Sequence, residues 1–321
     1  MFMKRWFLAV LALLLAAPPA LADAFPERPM RIVVPYPAGG TTDVLVRMLQ
    51  KPVAEAAGQP LVVDNRPGGA SVIGTGHVAQ SAPDGYTVLG GDLSMLVNPS
   101  LLKNMPYDTA RDFRGVTMLA RAPLVLLVHP SVPAKTLDEL IALARAKPGM
   151  LNFASGGYGT STHMAGEMFR RAAGIEIEHV PYQGVAPAMT ALLGGQVQMY
   201  FGGTTTALSY IQSGKLRALA VTGASPSPLL PDVPTFESRG IKGVNADTFW
   251  GVYAPAKTPD AVIAKLNQYY TAALRDPEVL KRTRELGLEL IGNSAEAHTA
   301  QMRQMIKDWG EFVARAGIKL D

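Results

Sequence analysis

MRIVVPYPAGGTTD (residues 30–43) and LNFASGGYGTSTH (residues 151–163) share one logic, roughly 120 residues apart. Each is a short apolar strand, a glycine-rich turn, and then Thr or Ser opening a helical pattern. Such a turn leaves backbone N–H groups free at a helix start, where they bind a small anion without a catalytic side chain. In the first turn, Pro37 leads into Gly39 and Gly40, which permit the tight bend, and Thr41 or Thr42 can cap the helix. Asp43 complements the helix dipole, or receives an ammonium or hydroxyl of a ligand. The second turn holds Ser155, Gly156, Gly157, Tyr158, Gly159, Thr160 and Ser161. With more hydroxyls and small residues, it is read as the principal carboxylate grip.

Working outward, strand and helix patterns alternate through the chain, which argues for an α/β fold of mainly parallel sheets covered by helices. Runs such as IVV and LVLLV lack polar alternation, as strands buried on both faces do. The segment FRGVTMLARAPLVLLVH (residues 113–129) is too long for one strand and contains Pro123, so it reads as two strands joined where the chain leaves one sheet for another. A second crossing is expected at DTFWGVYA (residues 247–254), with Trp250 at the hinge or cleft wall. The two crossings predict one lobe from residues 23–121 plus 249–321, and a second from residues 122–248. The two glycine-rich turns then fall in different lobes and face one ligand.

Residues 1–22 read as a signal peptide. Lys4 and Arg5 precede an apolar run shorter than a membrane span, and Ala20-Leu21-Ala22 supplies a small-x-small cleavage pattern. The exported chain would carry 28 basic against 26 acidic side chains, without a concentrated basic patch, so nucleic acid is not an expected partner. The cluster at residues 281–284 reads as a solvated helix face. The chain has no cysteine, which removes disulfides and thiolate chemistry.

Three enzyme-like patterns fail on context. GTGHVA (residues 74–79) fits a dinucleotide fingerprint, with Asp92 placed for a ribose, but it follows the loop RPGG rather than a strand. Ser161, two residues before His163, lacks the closing glycine of a nucleophile elbow. The five histidines show no metal-ligand spacing. No catalytic residue, metal or cofactor is therefore expected. The competing class is an exported α/β hydrolase using Ser161 and His163, or an oxidoreductase using the 74–79 glycines.

Beyond the turns, YPAGGTTD, VVDNRPGG, APDGYTVL, LVLLVHPSVPAKTLDEL, NFASGGYGTSTHMAGEMF, HVPYQG, LRALAVTG, LPDVPTFESRG and FWGVYAPAKTP occur in that order. This collinear set resembles the Bug-type extracytoplasmic solute receptors of tripartite tricarboxylate transporters. The resemblance implies a two-lobed type II periplasmic binding protein fold, a periplasmic monomer, and capture of a small organic carboxylate. Delivery would be to a membrane permease, or to a sensor in members lacking one. It also implies that the carboxylate is held by backbone and hydroxyl groups of two loops, here residues 37–43 and 155–161. Ser94, Gly203 and Asp247 complete the candidate ligand set. Gly90-Gly91-Asp92 and Gly202-Gly203 depart from the family pattern and would leave room for a larger ligand.

Overall fold

The computed structural model describes residues 25–318 apart from Ala224, and the signal peptide expected over residues 1–22 lies outside them. The chain opens with β1 (Met30–Val34), α1 (Thr41–Ala57), β2 (Leu61–Asn65), α2 (Val72–Ala79), β3 (Thr87–Asp92), α3 (Ser94–Leu101), α4 (Thr109–Asp112) and β4 (Phe113–Ala122). It continues through β5 (Leu124–Val128), α5 (Leu137–Ala146), β6 (Asn152–Ser155), α6 (Ser161–Ala173), β7 (Glu178–Pro181), α7 (Val185–Leu193), β8 (Met199–Gly203), α8 (Thr204–Gln212) and β9 (Arg217–Val221). It then returns in β10 (Thr248–Pro255), followed by α9 (Asp260–Ala273), α10 (Pro277–Glu285), β11 (Glu289–Leu290) and α11 (Ala295–Ala316).

These strands make two sheets, ordered β11-β4-β10-β3-β1-β2 and β7-β6-β8-β5-β9. Both follow one plan: a first strand flanked by its second and third, then a crossing strand, then a fourth. β1 pairs in parallel with β2 and β3, and β6 with β7 and β8. The crossing strands β10 and β5 run antiparallel to both neighbours, so each sheet is mixed rather than mainly parallel. The repeat seen in sequence thus has a topological basis, since β1 and β6 hold equivalent places. The carboxyl end of a strand at such a switch in strand order is where open α/β sheets bind ligands.

Pro123 separates β4 in the first sheet from β5 in the second, as its missing N–H and restricted φ dictate. Thr222 clamps the joint. It donates its N–H to the Leu124 carbonyl (2.9 Å) and accepts the Leu124 N–H on its hydroxyl (2.9 Å).

Both sheets are covered on both faces, which explains the unalternating apolar runs. Ile32 and Val34 pack with Leu45 and Leu49 of α1, whereas Val33 joins Leu89, Tyr253 and Trp309 on the other side. In the second sheet, Leu126 packs with Phe153, Phe169 and Phe201, while Val125 and Leu127 meet Leu192 and Tyr200. Met164 of α6 is fully buried in the first sheet's cluster, so this helix of the second lobe seats on the first. The 281–284 cluster lies on α10 with its three basic residues exposed.

Gly166 in α6 faces the Phe153 ring so closely that a Cβ would lie 2.1 Å from it. In an open helix, Gly→Ala gains up to about 1 kcal/mol. Here overpacking at about 1–3 kcal/mol outweighs that gain. Gly166→Ala is therefore expected to lower the unfolding midpoint in urea, and an unchanged or raised midpoint would show that the ring can move aside.

Candidate functional site

The first turn joins β1 to α1. Gly39 adopts φ +87°, open to glycine at little cost, and Gly40 precedes a helix that no side chain caps. The N–H groups of Gly40, Thr41 and Thr42 accordingly donate to no group among the described residues. The Thr42 hydroxyl accepts the Trp250 indole N–H at 3.1 Å, which fixes the start of α1 against the crossing strand β10. Trp250 is thus a wall between hinge and helix start.

Asp43 is buried, and its carboxylate is turned toward the loop. It accepts the Gly39 N–H (2.9 Å), the Arg47 guanidinium on both oxygens (3.0 and 2.9 Å) and the Asn65 amide (2.9 Å). Asn65 also donates to the Tyr36 carbonyl (3.1 Å). Burial alone would raise the Asp43 carboxyl, but the Arg47, Gly39 and Asn65 donors hold it below the usual range. With both oxygens occupied, Asp43 braces the turn and has no free lone pair for a ligand amine.

The second turn joins β6 to α6 and uses up most of its own donors. Gly156 N–H donates to the Thr162 hydroxyl (2.9 Å) and Gly157 N–H to the Ser155 hydroxyl (3.1 Å). Gly159 N–H donates to His163 Nδ1 (3.2 Å), and the Thr160 side chain caps α6. Only the N–H groups of Tyr158, Ser161 and Thr162 are left without an acceptor among the described residues. Hydroxyl-rich sequence therefore closes this turn partly on itself and leaves it three open N–H groups, as many as Gly40, Thr41 and Thr42 offer at the uncapped first turn.

Beneath the second turn, His163 and His179 stack with ring centroids 4.0 Å apart, and Tyr158 packs edge-on against both. Burial lowers His163 to about 4, with the Arg170 charge adding to the effect, and lowers His179 to about 3, helped by His163. Both rings are neutral at ordinary pH. The Ser155 hydroxyl lies 2.6 Å from His179 Nε2, a pair that looks like nucleophile and base. Ser155 is fully buried, however, and no carboxylate bonds to His179 among the described residues. Ser161, the residue of the hydrolase reading, is bonded instead to Thr248 (2.6 Å). Gly74 and Gly76 lie inside α2 rather than in a phosphate-binding turn, and a Cβ at Gly74 would press on the Arg66 carbonyl at 2.7 Å.

The lobes meet at these turns. A Cβ on Gly159 would sit 2.8 Å from Asn98 Oδ1 on α3, and Gly159 itself has φ +73°. Asn98 donates to the Ala70 carbonyl (2.7 Å), which helps hold Ala70 and Ser71 in left-handed conformations, uncommon for residues with a side chain. Its Oδ1 stays unpaired where Gly159 abuts it.

Of the remaining candidates, Ser94 opens α3 and is buried, grouped with the half-buried Tyr36 and Asp92. The Tyr36 hydroxyl donates to Asp92 Oδ1 (2.6 Å) and lies 2.9 Å from Ser94 Oγ. Burial, then the Asp92 charge, raises the Tyr36 hydroxyl well above its ordinary value. Gly203 ends β8 beside β6, but α8 beyond it is covered by residues 286–287, where the Thr205 hydroxyl donates to the Leu286 carbonyl. Asp247 accepts the Thr222 hydroxyl (3.3 Å) and lines a cavity of about 680 Å³ with Met118, Phe249 and Trp309 on one side and Met168 of α6 on the other. None of the residues of the two turns lines it. Tyr36, Ser71 and Asn98 were absent from the sequence-derived set. Tyr36 stands directly after the first strand, a position that could have marked it.

Residues 45–318 match the model of the tripartite tricarboxylate transporter family receptor. The chain is 36% identical over 319 residues to the protein BugT of Bordetella pertussis, covering 98% of each chain. Among solved structures, the periplasmic binding protein BugD is 35% identical with a TM-score of 0.84, over 92% of this chain and all of that one. An R. palustris protein solved with adipate is 33% identical with a TM-score of 0.85, over 92% of this chain and all of that one. With its two-lobed architecture, the chain belongs to the tripartite tricarboxylate transporter receptor family.

Proposed function

We propose that this chain is a non-enzymatic periplasmic receptor that closes two lobes on a small organic carboxylate and delivers it to a tripartite tricarboxylate permease. The observation that carries the reading is the uncapped start of α1, where the Gly40, Thr41 and Thr42 N–H groups have no acceptor among the described residues, beside the tight turn at Gly39. Neither turn contains a basic residue, so backbone dipoles and hydroxyls would grip the anion, as a helix N-terminus does. The relative solved with adipate supports a carboxylate as the ligand class. The lobes would comprise residues 23–121 with 249–321, and residues 122–248. Closure would turn about Pro123 and the start of β10.

Thermal-shift and calorimetric screening against a carboxylate panel tests this in protein freed of carried-over ligand. A cognate ligand at 100 times its Kd should stabilise the fold by about 2.7 kcal/mol through mass action. The absence of any stabilising carboxylate would refute the reading.

A further inference from the structure

The carboxyl end of β3 presents one acid that the grip on an anion does not use. Asp92 Oδ1 accepts the Tyr36 hydroxyl (2.6 Å) and the Ser94 N–H (3.0 Å). Its Oδ2 accepts from no group among the described residues and is not a shut-in core atom, because Asp92 is half-buried rather than fully so. Asp92 is the antiparallel partner of Trp250, and Trp250 is bonded to Thr42 at the start of α1. The free carboxylate oxygen, the indole and the open N–H groups therefore share one corner of the first lobe.

Charge balance distinguishes Asp92 from its neighbours. Asp43 is paired with Arg47, and Asp64 with Arg31 and Arg66. Asp92 has no ion-pair partner among the described residues. Burial disfavours its charge and raises its carboxyl, although the Tyr36 and Ser94 donors offset part of this. A plain carboxylate arriving at α1 would meet an uncompensated negative charge. A ligand that also carries a positive nitrogen would instead make a charge-assisted bond to Oδ2.

We propose that Asp92 selects carboxylates that also bear an ammonium group, the carboxylate lying on the α1 N–H groups and the ammonium on Asp92 Oδ2. The proposal rests on the receptor reading above and narrows its ligand class. Tyr36 and Ser94 are positioning residues, because they act by fixing the Asp92 carboxylate.

Calorimetric titration of the exported protein with matched pairs provides the test: succinate and aspartate, glutarate and glutamate, adipate and ε-aminohexanoate. In at least one pair the amine-bearing member is expected to bind tenfold or more tightly than its partner. Asp92→Asn, close in size and checked by its melting point, should erase that preference while leaving the plain acid bound as well or better. Tyr36→Phe retains the charge and should keep the preference. Plain acids binding as tightly as their amine partners in wild type would overturn the proposal, whether or not the Asn variant folds. So would a preference that survives in Asp92→Asn. Failure of every acid and every amine to bind would refute the receptor reading itself, and the proposal with it.

Discussion

Gly159→Val is expected to weaken ligand binding by about 100-fold or more, because the closed state is the competent one and its loss lowers apparent affinity in proportion. The new Cβ would lie 2.8 Å from Asn98 Oδ1 and 3.3 Å from Leu101 Cδ1, both on the opposite lobe. The clash exists only when the lobes meet, so it acts on closure. A second cost, strain of about 1–2 kcal/mol from a side chain at φ +73°, is present in open and closed states alike and acts on stability. Gly214→Ala separates the two, because Gly214 has φ +70° but nothing within 4 Å of its would-be Cβ. That variant should lose stability and keep its affinity for the best carboxylate from the panel. Equal affinity of Gly159→Val and wild type would show that the lobes do not close at this contact.

The second large effect is acid lability. His163, His179 and His298 are lowered to about 4, 3 and 3, and burial is the first cause in each case. Both ring nitrogens of His298 are buried without a partner in a slot formed by Gly115 and Gly251. A histidine whose folded pKa is depressed contributes fully above its unfolded value of about 6.5, and its contribution is lost as pH falls toward the folded value. Over that interval the unfolded chain takes up protons that the folded chain refuses. Asp92 and Asp247, whose carboxyls are raised by burial, act in the opposite direction, gaining stability as pH falls through their folded values. Summed over the three rings, the histidine loss should reach several kcal/mol by about pH 4, a substantial part of the usual 5–15 kcal/mol. Urea unfolding from pH 7 to pH 4 should show the midpoint falling steeply below about pH 6.5, and His298→Gln should flatten that slope. A flat profile would mean that these rings are solvated or paired.

What the sequence conveyed was local. The glycine pair at 39–40 and the glycines at 156–159 mark backbone turns whatever they pack against, and Pro123 marks a strand break for the same reason. The roles of polar side chains depended on partners distant in sequence. Asp43 is committed by Arg47 one turn along and by Asn65 on β2, and Asp92 meets Tyr36 from 56 residues away. Asp247 likewise meets its partner Thr222 from 25 residues away. The hydroxyls that make the second turn conspicuous in sequence, those of Ser155, Thr160 and Thr162, also bond within their own loop. The two-residue β11, and α3 with Pro99 inside it, carry too little periodicity to be read without their neighbours.

A crystal structure of the protein with its tightest-binding carboxylate bears most directly on the central claim. A carboxylate within hydrogen-bond distance of the Gly40, Thr41 or Thr42 N–H groups, enclosed on the other side by residues 155–161, is the predicted result. A ligand seated instead in the cavity beside Asp247 and Trp309, away from both turns, or held by an arginine or lysine side chain, would contradict it.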